Sequence, residues 1–182
     1  MIEINHADAS ANILAACEAK TLVQGKWHGR GNDGREIACL LGAIHPSVTS
    51  PAECNGDLMP LWLAELTPTL FDGIPASGVF PIARRYGELV GRWHTLSPKT
   101  WDEILRNFLI RVIDDAVDAA RPTNVGKPYW KQVEDACLQC QEAIRLQDKS
   151  AARSAWSAAR SAWSAARSAA ESAKSAESAA RS

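Results

Sequence analysis

Residues 151–182 repeat on a seven-residue period, and no other stretch of the 182-residue chain restricts its own fold so tightly. Ala-Ala-Arg-Ser-Ala-Trp-Ser fills 151–157 and again 158–164, and degenerate copies run on to Ser182. The basic positions Arg153, Arg160, Arg167, Lys174 and Arg181 fall seven apart. Seven residues make close to two helical turns, so every copy presents the same face. The period predicts a long alanine-rich helix with an alanine seam from Ala152 to Ala180 at alternating spacings of three and four. Beside the seam runs a second stripe, Arg153, Trp156, Arg160, Trp163 and Arg167, in which each indole is followed and preceded by a guanidinium.

Alanine favours the helix but buries little surface, so the seam by itself holds weakly. A tryptophan can bury about 150–250 Å², and Arg–Trp cation–π contacts add about 0.5–1 kcal/mol each where exposed. Trp156 and Trp163, with Arg153, Arg160 and Arg167, are therefore the expected partner-binding residues. Past Ala170 tryptophan stops and Glu171 and Glu177 enter, which predicts a solvated tip. The pattern leaves three occupants open: the chain's own body, a second copy, or a different protein.

Charge is split along the chain. Residues 149–182 hold six basic and two acidic residues, a balance of +4, while the rest holds 14 basic and 19 acidic residues, a balance of −5. A basic arm on an acidic body favours contact with itself, a sister subunit or an acidic protein partner, and argues against nucleic acid as the main ligand. No run of about 18 apolar residues exists, so no membrane span is expected. The start, Met1 to His6, lacks a basic then apolar pattern and does not read as a secretory signal. Five cysteines form no disulfide framework, and reduced thiols in a cytoplasmic setting are expected.

The remainder reads as helices. A first helix capped by Asp8 or Ser10 carries Ile13, Leu14 and Cys17. Gly25–Gly34 is a loop, with Asn32-Asp33-Gly34 a turn. The apolar run from Arg35 to Ile44 is ambiguous by period, and helix is the expectation from its helical neighbours. Helices follow over 58–70, with Pro60 in the first turn, and over 80–93, weakened by Gly87 and Gly91. Ser97-Pro98 opens a helix, with Thr100 and Glu103 as an alternative capping box. Its stripe of Trp101, Ile104, Leu105, Phe108, Leu109, Val112, Ile113, Ala116 and Val117 ends at Arg121-Pro122. A last apolar stripe, Trp130, Val133, Cys137, Cys140 and Ile144, leads into the repeat without glycine or proline, as one helix or as two broken near 148–150. The expected organisation is all-α: a helical body over 1–126 and a long C-terminal helix over 127–182, with the heptad repeat at 151–182.

Three patterns carry candidate chemistry. Asp114-Asp115-x-x-Asp118 matches the aspartate-rich motif with which helical prenyl-transferring enzymes hold Mg²⁺ and diphosphate, and its i, i+3 and i+4 spacings put carboxylates on one face. The chain has no second such motif, and Arg111 stands four residues before Asp115, so a solvated, paired face is the competing reading. Cys137-x-x-Cys140 has the spacing of metal ligands but lacks two further ligands, and reads as two small core residues. His28, His45 and His94 are ordered by no motif. The loop Gly25-Lys26-Trp27-His28-Gly29-Arg30-Gly31 interleaves basic, aromatic and glycine residues but fits no phosphate-binding fingerprint.

The tail from Ala151 to Arg167 resembles the Ala/Ser/Arg/Trp repeat helices of uncharacterised bacterial and phage proteins, some of immunity type. The order Trp27, Asp33-Gly34, Ala38-Cys39-Leu40-Leu41-Gly42-Ala43 is similar to small bacterial helical domains. The resemblance implies a bacterial cytoplasm, or a host cytoplasm for a phage-encoded chain, and a role in phage–host or toxin–immunity conflict. It implies no catalytic residue. The leading expectation is an oligomeric protein–protein interaction module that occludes a partner, with no cofactor. The alternative is a small metal-dependent enzyme using Asp114, Asp115 and Asp118.

Overall fold

The computed structural model describes residues 4–54 and 56–147. Helix α1 runs His6–Ala19, and its N-cap is Asn5 rather than Asp8 or Ser10. Asn5 Oδ1 accepts from the Asp8 backbone N–H at 2.8 Å, while Asn5 Nδ2 donates to Asp8 Oδ2 at 2.7 Å. Asp8 thus sits in the first turn, where a carboxylate favours the positive end of the helix. Ala9, Ile13 and Cys17 form the buried face of α1.

The run from Arg35 to Ile44 is not a helix. Two short strands, β1 His28–Arg30 and β2 Glu36–Ala38, pair antiparallel, with Gly29 opposite Ile37. The other edge of β2 is also held, since Val23 N–H donates to Ala38 O (2.9 Å) and Ala38 N–H to Thr21 O (3.1 Å). Hydrogen bonds to both neighbours outweigh the local preference. After β2 the chain turns through Leu40, Leu41 and Ile44, which are at most 2 % exposed and plug the core. Gly42 is required there, because a Cβ at that position would lie 2.2 Å from the Trp27 carbonyl oxygen. The Asn32–Gly34 turn is present, closed by Gly34 N–H to Gly31 O at 2.9 Å.

Helix α2 runs Leu61–Asp72, with Pro60 as N-cap and Gly73 as C-cap. Its buried positions are Ala64, Thr67 and Phe71, whereas Leu61 and Leu70 are about half exposed. Helix α3, Val79–Val90, packs along α1. Gly87 permits the close approach: a Cβ there would stand 3.0 Å from Ile13 Cγ2 and 3.2 Å from Leu14 Cδ2. The glycine that weakens α3 as an isolated helix is the residue that lets it pack.

Two longer helices follow, α4 Pro98–Asn124 and α5 Trp130–Arg145. Pro122 does not stop α4, which runs two residues further. Proline there forfeits one hydrogen bond in a final turn that other groups tie down. Asn124 Nδ2 and Thr123 Oγ1 both donate to Ala120 O, at 2.8 and 3.1 Å, and Tyr129 Oη donates to Asn124 Oδ1 at 2.8 Å. Helix α5 ends at Arg145, and Gln147 takes a left-handed conformation with φ 57°.

Five α-helices and one two-stranded hairpin make the described fold mostly α. The chain divides into two compact units, Met1–Ser97 and Pro98–Ser182. The first holds α1 to α3 and the hairpin; within the described part of the second, α4 and α5 pair antiparallel.

Candidate protein-interaction face

The partner-binding set read from the repeat, Arg153, Trp156, Arg160, Trp163 and Arg167, lies outside the described residues. The surface that can be built from atoms is that of the α4–α5 hairpin. Gln141 of α5 is 3 % exposed, and its Nε2 donates to Asp114 Oδ1 at 2.6 Å and to Ile110 O at 3.3 Å. Arg121 Nε donates to Glu134 Oε1 at 3.2 Å. These bonds put Ile110, Asp114 and Arg121 on the side of α4 that meets α5.

One turn of 100° per residue then carries Ile104, Leu105, Phe108, Leu109, Val112 and Ala116 to the side away from those bonds. This is most of the apolar stripe that the sequence shows in this helix. None of the 27 residues of α4 is buried, and Ile104, Leu109 and Val112 are 37 %, 39 % and 47 % exposed. One charged residue lies within this arc, Asp115 between Ile104 and Phe108, and it is paired with Arg111 at the edge. Covering what remains exposed on each of these three side chains is worth roughly 0.5–1.5 kcal/mol.

The three aspartates do not converge. Asp114 accepts from Gln141, Asp115 pairs with Arg111 at 3.0 Å, and Asp118 pairs with Arg121 at 3.4 Å. Among the described residues no group of three or more histidine, cysteine, aspartate or glutamate side chains is arranged to hold a metal ion. Asp114 and Asp118 instead line a groove of about 360 Å³ between α4 and α5, with Val117, Glu134, Asp135 and Leu138. Cys137 opens onto the same groove and is half-buried, as is Cys140. Burial pushes both thiols up, and the neighbouring Cys140 and Glu134 add to this at Cys137. Neutral thiols at physiological pH are poor metal ligands and poor nucleophiles.

The histidines have structural roles that the sequence did not reveal. His6 Nε2 bonds Leu58 O at 3.0 Å and His28 Nε2 bonds Val48 O at 2.7 Å. A carbonyl only accepts, so each Nε2 carries the proton. Asn12 Nδ2 donates to Ile44 O at 2.8 Å. Together these three side chains satisfy carbonyls of the segment between β2 and α2, which has little regular structure of its own. His94 Nδ1 likewise bonds Gly91 O at 3.0 Å. A cleft of about 390 Å³ in the first unit is lined by Asn12, His28 and Glu36. Two of its polar side chains are thus already engaged by backbone. The loop Gly25–Gly31 is also tied down: Gly25 N–H donates to Asp72 Oδ1 at 2.8 Å, and Cys39 N–H to Trp27 O at 3.1 Å.

Among the described residues no helix is long and apolar enough to cross a membrane. No family model, curated protein or solved structure matches the chain.

Proposed function

We propose that this protein is a protein–protein interaction module that pairs with a second copy of itself through the face of α4 bearing Ile104, Leu109 and Val112. The observation that carries the reading is a helix of 27 residues with no buried side chain and three large aliphatic residues 37–47 % exposed on one side. A helix in water normally hides such a stripe, and an uncovered one marks an association surface. An apolar stripe with a single internal ion pair, Arg111–Asp115, toward one edge can meet its own copy across a two-fold axis, the contact most homo-oligomers use. A module of this kind acts by occupying a surface and needs no catalytic residue.

Retention of an untagged copy by a tagged copy tests the pairing. The wild-type chain retains its partner. Leu109→Glu with Val112→Glu loses retention by about tenfold or more while its melting transition stays in place, because partly exposed sites tolerate charge. Equal retention by the double variant removes α4 as the contact.

A further inference from the structure

The groove between α4 and α5 is a second surface, on the side of α4 that carries the bonds to α5. It has an apolar floor at Val117 and Leu138, the latter 61 % exposed. Its rim is acidic: Asp114, Asp118, Glu134 and Asp135 outnumber Arg121 and Lys131. Asp135 and Asp118 are held only by exposed pairs, Lys131–Asp135 at 3.3 Å and Arg121–Asp118 at 3.4 Å, which exchange readily for another cation.

Three facts bear on what fills it. Helix α5 stops at Arg145, and Gln147, at φ 57°, turns the chain off the helix axis. Beyond it lie 35 residues whose repeat alternates arginine with tryptophan and whose balance from 149 onward is +4. Loops of two to five residues are the usual connection between antiparallel helices, and 148–150 supplies that length. We infer that residues 151–167 fold back in cis into the α4–α5 groove, with Trp156 and Trp163 on its apolar floor and Arg153, Arg160 and Arg167 on its acidic rim.

The register follows from the helical rise, which is the same on both strands of such a hairpin. A chain reversing at 148–150 sets Trp156 level with residues 140–142 and Arg160 level with residues 136–138, about a turn or less from Leu138 and Asp135. Seventeen residues of helix span about 25 Å, enough to cover α5 from Ile144 back to Trp130. A connection this short gives the segment an effective concentration of the order of millimolar at its own groove, which favours its own hairpin over a neighbour's. The aspartates at 114 and 118 then serve as receptors for guanidinium groups, a task for which paired, surface carboxylates are suited. This inference is independent of pairing through α4, which uses the other side of that helix.

Cys137 reports on the groove, and Cys140, on the same helix but outside the groove lining, is the control. Maleimide labelling of the full-length protein, read per cysteine by peptide mass, follows local opening. In Trp156→Ala/Trp163→Ala, Cys137 labels about tenfold faster than in wild type while Cys140 and the buried Cys17, Cys39 and Cys54 keep their rates. Arg160→Glu also speeds Cys137, and adding Asp135→Arg restores protection. Wild-type protection is the same over about a hundredfold range of protein concentration. Equal Cys137 rates in wild type and the tryptophan double variant overturn the inference. So does protection that appears only at high concentration, which assigns the groove to a neighbouring copy, or acceleration of all five cysteines together, which reports general loosening.

Discussion

At the scale of single residues, burial sets the chemistry of this chain more than charge does. Cys54 is 7 % exposed, and burial pushes its thiol from the ordinary 9.0 to about 11, with smaller contributions from Cys39 and Glu53. Tyr86 moves in the same direction for the same reason, although its bond to Thr67 at 3.0 Å opposes the shift. An acid whose folded pKa is raised favours the folded state below its unfolded pKa. That contribution fades as pH climbs toward the folded value, because the unfolded chain releases its proton first. The melting temperature is therefore expected to fall between pH 9 and about 11, and Cys54→Ala to flatten that fall without altering the plateau near pH 7. A slope that Cys54→Ala leaves unchanged, followed by circular dichroism, rules the thiol out as its source. Glu53 shifts the other way. Thr49 and Ser50 donate to its carboxylate and hold it below the usual range, but the group is fully exposed and governs only a turn.

At the scale of elements, Gln141 is the polar rivet of the α4–α5 hairpin. It is buried, and its amide bridges a side chain and a backbone carbonyl of α4. Gln141→Ala leaves Ile110 O and Asp114 without that donor and is expected to cost about 1–3 kcal/mol in urea unfolding. Gln141→Glu sets a second carboxylate against Asp114 and is expected to cost at least as much. A loss under about 0.5 kcal/mol for both contradicts the role.

The elements also show what the sequence could and could not disclose. Helix α4 was legible because its proline start and long stripe are local signals. Which side of the stripe meets α5 was not, since that depends on Gln141, a polar residue 27 positions from Asp114. β2 is not legible locally, because its pairing with Thr21, Val23 and β1 is set by residues up to 17 positions away, while its own composition suits a helix or a strand equally. The Arg111–Asp115 pair was visible in advance from its i, i+4 spacing, and it forms. The histidines gave no signal, because a ring that caps a distant carbonyl leaves no trace in local pattern.

At the scale of the whole molecule, the first unit has its own buried core, although Leu61, Leu70, Ile82 and Leu89 stay exposed on α2 and α3. Its core runs through Ile13, Leu41, Ile44, Leu58, Met59 and Phe71, each at most 1 % exposed. The α4–α5 hairpin offers two surfaces with different chemistry, a mainly aliphatic face on α4 and an acidic groove against α5. The aliphatic face suits a copy of itself, and the acidic groove suits the basic repeat. The proposed pairing and the proposed tail docking would use different sides of α4.

Pairing of two copies through Ile104, Leu109 and Val112 is tested by molar mass in solution, measured by light scattering across a dilution series. The wild type is expected to reach the mass of two chains at high concentration, and Leu109→Glu/Val112→Glu to keep the mass of one chain at all concentrations. A wild type that stays at the mass of one chain throughout, or a double variant that still doubles, contradicts it.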